Sequence, residues 1–440
     1  MKPLRAYAGL MRNSAFNLGG HAVSVLAALV CIPIAFRELG PERFGLLMLV
    51  WGVLSYAIVF DLGTGPAVAR ATAASLVHDQ GRRIAALFRA GALIQLSLGV
   101  LAGALLALLA PQLLELLKVP IAYRADAQRA LYAVALALPV VLMGQSLQAV
   151  LEGVERFDWI AYIRTPIAVA TYAVPAVGAL AGWSLATMMF GLLIVRIAAG
   201  VIFYGLYRKA LPAAQSGTAR SEIAALFRYA RWLAVSGVIA QLLMYLDRFM
   251  LSALHGLTAV AQYAAPYDAA TKLLLIPGSI GVALFPGLSK DAARAQANDA
   301  VARSRAAARM TMIVLLPLCA VLFAFAGPLL HLWLGPQLSG AGVAAFRVLV
   351  LATLLHALAY PPVILIEAFG RSDSVARYSI AELIAYLPVA TFMIWRFGVA
   401  GAAWTWVARS AALMLWSNWY ARRWVRTVQP ATLTQFANGD

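Results

Sequence analysis

The stretch Leu151-Glu-Gly-Val-Glu-Arg-Phe-Asp158 has a counterpart further along the chain, Ile366-Glu-Ala-Phe-Gly-Arg-Ser-Asp373. Three polar residues recur 215 positions later (367 − 152 = 215): Glu152, Arg156 and Asp158 as Glu367, Arg371 and Asp373. The turn glycine Gly40 recurs at nearly the same spacing as Gly256 (256 − 40 = 216). Self-similarity of this kind in an apolar chain is typical of a membrane transporter built from two halves with a binding site between them.

The amino-acid composition excludes a water-soluble protein. Soluble domains are about half apolar and about a quarter charged, whereas this chain is 63% hydrophobic and 12% charged. The two cysteines, Cys31 and Cys319, lie in separate apolar runs, so we expect neither a disulfide framework nor a metal site. The chain must therefore use lipid as its solvent.

Twelve segments are long and apolar enough to cross a bilayer, which takes roughly 20 apolar residues. The first half contains Ala15–Phe36, Phe44–Ala67, Ala85–Ala110, Ala130–Leu151, Ile160–Ala181 and Trp183–Tyr207. The second half contains Arg231–Leu254, Ala259–Phe285, Met310–Leu334, Val343–Ala368, Tyr378–Trp395 and Val399–Tyr420. The sequence predicts an all-α integral membrane protein with about twelve transmembrane helices in two six-helix lobes.

Lysine and arginine are distributed unevenly between the connections. Connections on one side of the membrane carry 24 of them and connections on the other side carry 7. The positive-inside rule therefore predicts that both termini are cytoplasmic. Since each half has an even number of spans, both enter the membrane from the same side, and we expect a pseudo-two-fold axis along the membrane normal.

The same pattern predicts the domain boundaries. We expect an N-terminal lobe at residues 1–207, a cytoplasmic linker at 208–226, a C-terminal lobe at 227–424 and a cytoplasmic tail at 425–440. The stretch Ser289–Arg309, rich in alanine and arginine, predicts a cytoplasmic helix near the lipid headgroups. No connection is long enough to form a soluble domain, so the net charge of +17 favours contact with anionic lipid over nucleic-acid binding.

The sequence lacks the motifs of enzyme chemistry. It contains no HExxH, no GxSxG, no P-loop and no cluster of cysteine and histidine. We therefore predict that the protein is not an enzyme, has no catalytic residue, and holds neither a metal nor a cofactor.

Ionisable residues inside spans are costly in lipid, so each should face the bundle interior or a wet cavity. On the seventh span, one helical face carries four polar residues: Gln241, Tyr245, Arg248 and Ser252. This face predicts a cavity wall that binds an anion. The alternatives are a structural pair between Asp247 and Arg248, or an arginine that reaches the outer interface.

Three further cations lie inside spans. Arg196 and Arg409 occupy matching places in the two halves (409 − 196 = 213) and predict a clamp for a phosphate, or else helix–helix pairing through backbone carbonyls. Lys272 follows Asp268 by four residues, a spacing that favours an ion pair within one helix.

Three carboxylates are candidates to carry a coupling cation: Glu382, Asp61 and Asp247. We rank Glu382 first because Tyr378 and Tyr386 share its helical face and no basic residue lies within a turn of it. Asn17 and His21 form a polar stripe on the first span that predicts a cavity-lining face. Glu152 and Glu367, which recur with arginine and aspartate, predict a structural hinge in each half.

Several stretches, in this order along the chain, resemble Wzx-type polysaccharide flippases. In the first half they are Phe36-Arg-Glu-Leu-Gly-Pro-Glu-Arg-Phe-Gly-Leu-Leu47 and Phe60-Asp-Leu-Gly-Thr-Gly65. In the second half they are Leu246-Asp-Arg-Phe-Met-Leu251, Leu284-Phe-Pro-Gly-Leu-Ser289, Leu332-Trp-Leu-Gly-Pro336, Glu367–Asp373 and Phe397-Gly-Val-Ala-Gly-Ala-Ala-Trp404. Such proteins belong to the multidrug/oligosaccharidyl-lipid/polysaccharide exporter superfamily.

The resemblance implies a flippase in the bacterial cytoplasmic (inner) membrane. Its cargo would be undecaprenyl-pyrophosphate-linked oligosaccharide, moved by alternating access with a proton or sodium ion as the coupling cation, and its partners would include membrane lipids and the polysaccharide polymerase machinery. The four cations would then receive the pyrophosphate: Arg196, Arg248, Lys272 and Arg409.

Two rival functions remain open. A drug/cation antiporter of the same superfamily predicts a cavity dominated by carboxylates. A membrane-embedded glycan polymerase or ligase predicts a large extracytoplasmic loop.

Overall fold

The computed structural model describes residues 2–78, 83–210, 238–239, 241–294 and 296–425, and these ranges contain helices and turns but no strand. The chain divides into two compact units, Met1–Phe249 and Met250–Asp440. Most of the predicted linker, from residue 211 to 226, lies outside the described residues, as does the tail from residue 426. The predicted domain boundaries therefore stay predictions.

The first unit consists of helices that follow one another along the chain. They are α1 (Lys2–Ser55), a 3-10 turn (Tyr56–Asp61), α2 (Thr64–His78), α3 (Ile84–Leu116), α4 (Ile121–Gly153), α5 (Phe157–Leu180), α6 (Leu185–Ala210) and the first part of α7 (241–255). The second unit begins within α7. It continues with α8 (Leu257–Thr271), a 3-10 turn (Lys272–Leu274), α9 (Leu275–Ala293), α10 (Ala297–Ala324), α11 (Ala326–Leu334), α12 (Gly340–Ala368) and α13 (Ser372–Val425).

The described helices account for the predicted spans. Nine helical stretches in the described ranges are long and apolar enough to cross a membrane. Two of them run through a glycine with non-helical backbone angles, Gly40 in α1 and Gly398 in α13, so each corresponds to two predicted spans. The seventh predicted span begins outside the described residues and is helical over 241–255. The predicted all-α membrane fold with two helical lobes is confirmed.

Turns with left-handed backbone angles recur at matching places in the two units. Positive φ angles occur in four pairs, at spacings of 215 to 217 residues (370 − 155 = 215, 335 − 118 = 217): Gly40 and Gly256, Lys118 and Gly335, Glu155 and Gly370, Gly182 and Gly398. An L-residue reaches this region only at a cost, so such turns are specific features of a backbone. Their recurrence shows that each unit repeats the same order of helices and turns.

One helix forms the centre of each unit. In α4 and α12, 56% of the apolar membrane window is buried inside the protein, compared with a third or less in each of the other membrane-spanning helices described. Close approach of α3 to α4 depends on small residues, because a Cβ atom on Gly103 would lie 2.5 Å from the carbonyl oxygen of Ala135. The central helices therefore carry the cavities described below.

The structure corrects two of the predicted segments. The predicted second span, Phe44–Ala67, is interrupted by the 3-10 turn and by positive φ angles at Leu62 and Gly63. The predicted surface helix at Ser289–Arg309 is wrong, because α9 extends to Ala293 and α10 begins at Ala297. Alanine is the strongest helix former, so this stretch lengthens the two membrane helices instead of forming a separate one.

Candidate functional site

The duplicated motif forms the same structure in both units. Arg156 donates two hydrogen bonds to the carboxylate of Asp158, at 3.0 and 2.9 Å, just after α4 ends. Arg371 donates to Asp373 in the same way after α12, at 3.0 and 3.4 Å. The hydrogen bond to Asp158 raises the pKa of Arg156 above its ordinary value. The arginine–aspartate pair of the motif therefore fixes the turn that ends each central helix.

Asp61 lies at the break in the second predicted span and accepts hydrogen bonds from several neutral groups. Its carboxylate accepts from the hydroxyl of Thr64 at 3.0 Å, from the backbone N–H of Gly65 at 3.1 Å and from the side-chain amide of Gln95. Ser146 on α4 in turn donates to Gln95 at 2.7 Å. A carboxylate at the N-terminus of α2 is also stabilised by the helix dipole.

The network around Asp61 is buried and lacks a described cation. Thr64, Gln95 and Ser146 each have 0% of their surface exposed. All hydrogen-bond partners of Asp61 in the described ranges are uncharged. The position of Asp61 in an apolar span marks it in the sequence, whereas its partners on α3 and α4 are marked only as isolated polar residues in other apolar spans.

Glu382 has a basic partner, contrary to the prediction. Arg409 donates from Nε to the Oε1 atom of Glu382, and the two side chains are only 13% and 10% exposed. The prediction considered residues within one turn of Glu382 and therefore missed a partner 27 residues further along α13 (409 − 382 = 27), beyond the glycine at which this helix changes direction. Arg409 and Glu382 thus neutralise each other within the second unit.

The polar face of α7 is packed inside the protein. Asp247 and Arg248 are 1% and 2% exposed, and the guanidinium of Arg248 lies 4.9 Å from the ring centre of Tyr245. Gln241 donates a hydrogen bond to the backbone carbonyl of Ser55 at 3.1 Å, which ties α7 to the end of α1. Ser252, at 0% exposure, is equally buried. This packing favours the structural alternative for the face, and its role in anion binding stays a prediction.

Arg196 lines a cavity of about 220 Å³ inside the first unit. Its neighbours in the cavity wall include Gln145 and Gln148 on α4 and Arg164 on α5. The Nε atom of Arg196 is fully buried and has no hydrogen-bond partner within the described part of the chain. Two guanidinium groups and two side-chain amides thus surround one cavity, an arrangement of hydrogen-bond donors that suits an anion.

The structure adds little about three of the predicted site residues: Lys272, Asn17 and His21. Lys272 begins the 3-10 turn between α8 and α9, one turn after Asp268, and its predicted ion pair stays a prediction. Asn17 and His21 lie on α1, but their side chains lie outside the described residues. The described residues contain no group of three or more histidine, cysteine, aspartate or glutamate side chains that could hold a metal.

Comparison with models of protein families identifies the family of this chain. A family model described as polysaccharide biosynthesis protein matches residues 10–292. The chain belongs to this family. A Shigella flexneri protein named "Putative O-antigen transporter" is 27% identical over 412 residues, which cover 92% of this chain and 97% of that protein. The predicted resemblance to the polysaccharide flippases is confirmed.

Solved transporter structures share the fold of this polysaccharide biosynthesis protein. A multidrug resistance MATE family transporter of the MOP superfamily, in an inward-facing conformation, matches with a TM-score of 0.79 at 13% identity, over 93% of this chain and 96% of that one. A MOP superfamily transporter from Pyrococcus furiosus matches with a TM-score of 0.65 at 14% identity, over 96% of each chain. These similarities show that the chain has the MATE transporter fold, and with its membrane-spanning helices it is a multi-pass membrane protein.

Proposed function

We propose that this protein is a flippase that moves undecaprenyl-pyrophosphate-linked oligosaccharide across the bacterial cytoplasmic membrane by alternating access. The family match and the name of the Shigella flexneri relative support a cargo for surface polysaccharide synthesis. The observation that carries the proposal is Arg196, which lines a cavity and whose buried Nε–H group finds no partner within the described residues. A phosphate oxygen would accept that hydrogen bond.

The chemistry of the cavity favours a phosphate over other anions. A guanidinium offers its donors in a planar fork that matches phosphate geometry, and hydrogen bonds between charged groups are the strong ones. A buried charge without a partner is costly, so the ligand would supply the missing compensation. Arg164 and the amides of Gln145 and Gln148 would add further donors from α4 and α5.

The other predicted cations fit this role less well. The charge of Arg409 is taken up by Glu382, and Arg248 is packed beside Tyr245. We therefore assign the pyrophosphate first to Arg196 and Arg164, and we keep Arg248, Arg409 and Lys272 as secondary candidates. A drug/cation antiporter would instead need a carboxylate in this cavity, and none is among the described residues that line it.

The coupling ion would bind at Asp61. Its partners are neutral, so the carboxylate can gain or lose a proton, or exchange it for a sodium ion, without breaking an ion pair. Glu382 becomes the second candidate because Arg409 holds its charge. The polysaccharide polymerase machinery would receive the cargo on the opposite side of the membrane, and both termini would be cytoplasmic.

The anion site can be tested with a short analogue of the lipid carrier. Purified protein in lipid nanodiscs is titrated with farnesyl pyrophosphate, and Arg196→Gln is compared with the wild type. A charge-assisted hydrogen bond contributes about 1.5–3 kcal/mol, so we expect an affinity loss of about 10- to 150-fold.

The control is Arg129→Gln on α4, because Arg129 is exposed and donates only to the carbonyl of Ala125, one turn earlier in its own helix. The same variants are expressed in a host that lacks its own flippase. Arg196→Gln should stop glycan export at a normal protein level, and Arg129→Gln should not. Equal pyrophosphate affinity in all three proteins would contradict the proposed site.

A further inference from the structure

A second cavity lies in the second unit, at the place that the repeat makes equivalent to the Arg196 cavity. It has a volume of about 450 Å³ and is lined by residues of α9, α12 and α13. His356, Tyr360 and Val363 of α12 correspond to Val141, Gln145 and Gln148 of α4 at the 215-residue spacing of the motif that ends both helices (356 − 141 = 215), and all six line their respective cavities. The duplicated central helix thus presents the same face to a cavity in each unit.

The two cavities differ in chemistry although they share an origin. The first holds two arginines and two glutamines. The second has a mostly apolar wall that includes Phe285, Val363, Ile364 and Leu413. No arginine or lysine is among the described residues that line it, and the charge of the neighbouring Arg409 is engaged by Glu382.

Three polar groups interrupt the apolar wall of the second cavity: His356, Tyr360 and Glu367. They follow one another on a single face of α12, at i, i+4 and i+11. The Nδ1 atom of His356 is buried and has no hydrogen-bond partner within the described ranges. The ring of His356 packs 5.3 Å from that of Trp406 and 5.8 Å from that of Tyr360, which holds it in place.

Glu367 differs from its duplicate in the first unit. Glu152 accepts a hydrogen bond of 2.7 Å from Gln148. The residue equivalent to Gln148 is Val363 (363 − 148 = 215), which offers no donor, and no hydrogen bond or ion pair reaches the carboxylate of Glu367 from the described side chains. The cavity wall therefore contains a carboxylate with no described partner and a histidine whose buried Nδ1 atom has none within the described ranges.

These features argue against the hydrocarbon tail and the phosphate of a lipid-linked cargo as the ligand of the second cavity. A hydrocarbon tail would leave the carboxylate, the histidine nitrogen and the tyrosine hydroxyl without water or a partner, which is costly. A phosphate would face the charge of Glu367 with no cation in the lining. A sugar has hydroxyl groups that donate to a carboxylate and exchange hydrogen bonds with histidine and tyrosine, and its C–H faces tolerate apolar contact.

We propose that the second-unit cavity binds a deoxy-sugar unit of the oligosaccharide cargo. The inference rests on the proposed function for the nature of the cargo. Few polar groups face the cavity, so a fully hydroxylated sugar would bury hydroxyls against Val363, Ile364 or Leu413 without partners. A sugar in which a methyl group replaces the CH₂OH group fits the apolar wall and keeps its remaining hydroxyls for Glu367, His356 and Tyr360.

The test compares two glycosides that differ by a single hydroxyl group. Methyl α-L-rhamnopyranoside and methyl α-L-mannopyranoside are titrated into the full chain in nanodiscs, with binding followed by saturation-transfer NMR. We expect the rhamnoside to bind at least about tenfold more tightly, within the hundredfold or so that an apolar pocket can discriminate against an added hydroxyl. Glu367→Gln should weaken rhamnoside binding about tenfold, and Tyr360→Phe should weaken it several-fold.

The matched control is Glu152→Gln, at the equivalent turn of the first unit, which should leave glycoside binding unchanged. Equal affinity for the two glycosides, or rhamnoside binding that survives both Glu367→Gln and Tyr360→Phe, would overturn the proposal. Binding of tetraphenylphosphonium in place of either glycoside, lost in Glu367→Gln, would identify an organic-cation site and would also overturn it. Farnesyl pyrophosphate binding by the same preparations reports separately on the proposed anion site.

Discussion

The two arginines that occupy matching places in the sequence have different surroundings in the structure. Arg409 is held by Glu382, whereas the Nε atom of Arg196 has no partner within the described residues. A buried ion pair loses stability when either partner is removed, because the other charge is left without compensation. Removing a cation whose partner is a ligand weakens binding of that ligand, but it does not lower the stability of the protein.

This difference predicts opposite results for two substitutions. Arg409→Gln should lower the free energy of unfolding by about 3 kcal/mol or more, as expected for a broken buried pair. Arg196→Gln should leave it unchanged or raise it, since a desolvated charge is removed. Denaturant unfolding of the purified variants measures both, and a stable Arg409→Gln variant would contradict the structural role of the pair.

The pair itself can be tested with a double-mutant cycle. Glu382→Gln alone should cost about as much stability as Arg409→Gln, and the double variant Glu382→Gln/Arg409→Gln should cost clearly less than the two single losses combined. Additive losses would mean that the two side chains act independently. Because Glu382→Gln is expected to destabilise the fold, loss of transport in that variant is not evidence for ion coupling.

Asp61 is the residue at which coupling should be visible. Asp61→Asn keeps the size and a hydrogen-bond acceptor for Thr64 and Gly65, but it fixes the site in a neutral state. We expect the variant to fold and to bind farnesyl pyrophosphate normally, while its transport in proteoliposomes no longer responds to an imposed proton or sodium gradient. Wild-type gradient dependence in Asp61→Asn would exclude Asp61 as the carrier.

At the scale of single elements, the turns after the central helices are the clearest product of the duplication. Glu155 and Gly370 both have positive φ angles, 60° and 77°, and both are exposed. A side chain at a left-handed position costs about 1–2 kcal/mol, which the first unit tolerates at Glu155 and the second unit avoids with a glycine. The hydrogen bonds between Arg156 and Asp158 help to hold the turn in that conformation.

The turns allow a prediction with an internal control. Gly370→Ala should lower the free energy of unfolding by about 1–2 kcal/mol, because a Cβ is introduced at a left-handed position. Space is not the cause, since a Cβ there would meet nothing within 4 Å. Glu155→Ala exchanges one L-residue for another and should change stability by less than about 0.5 kcal/mol. Similar losses in the two variants would show that backbone conformation is not the determining factor.

The helices could be predicted from the sequence to the extent that one apolar run makes one helix. That holds for α5 and α6, which begin and end within three residues of the predicted spans. The helices α3 and α4 follow in the predicted order but are longer than the runs, α4 by nine residues at its start (130 − 121 = 9). The prediction fails where a helix breaks inside an apolar run, as at Leu62 and Gly63, because hydropathy carries no information on backbone angles. It also fails where an alanine-rich helix continues past the apolar region, as at Ala293.

The candidate site was less accessible to sequence analysis than the fold. Residue type and depth in a span singled out Arg196, Asp61 and Glu382, but their partners come from other helices or from a distant part of the same helix. Sequence position therefore placed Arg248 and Arg196 in the same class, although Arg196 lines a cavity and Arg248 is packed beside Tyr245. The fold depends on local patterns, and the chemistry of the site depends on contacts between residues far apart in the chain.

At the scale of the whole molecule, the repeat decides the topology. Each half contains an even number of predicted spans, and Gly40 and Gly256 mark the first turn of each half with similar backbone angles, φ of 71° and 83°. An even number of spans returns the chain to the side from which it started. The first turns of both halves should therefore lie on the same side of the membrane, opposite to the strongly basic connections.

This topology predicts the results of reporter fusions at five positions. Fusions after Arg83, Lys209 and Arg303 should report the cytoplasm, since the connections at these positions belong to the set that carries 24 lysines and arginines. Fusions after Pro41 and Gly256 should report the periplasm. A fused phosphatase is active in the periplasm, and a fused green fluorescent protein is fluorescent in the cytoplasm. The fusion at Lys209 is the most discriminating, because it follows the sixth span. A periplasmic signal there would mean that the halves enter the membrane from opposite sides, and the predicted pseudo-two-fold axis along the membrane normal would fail with it.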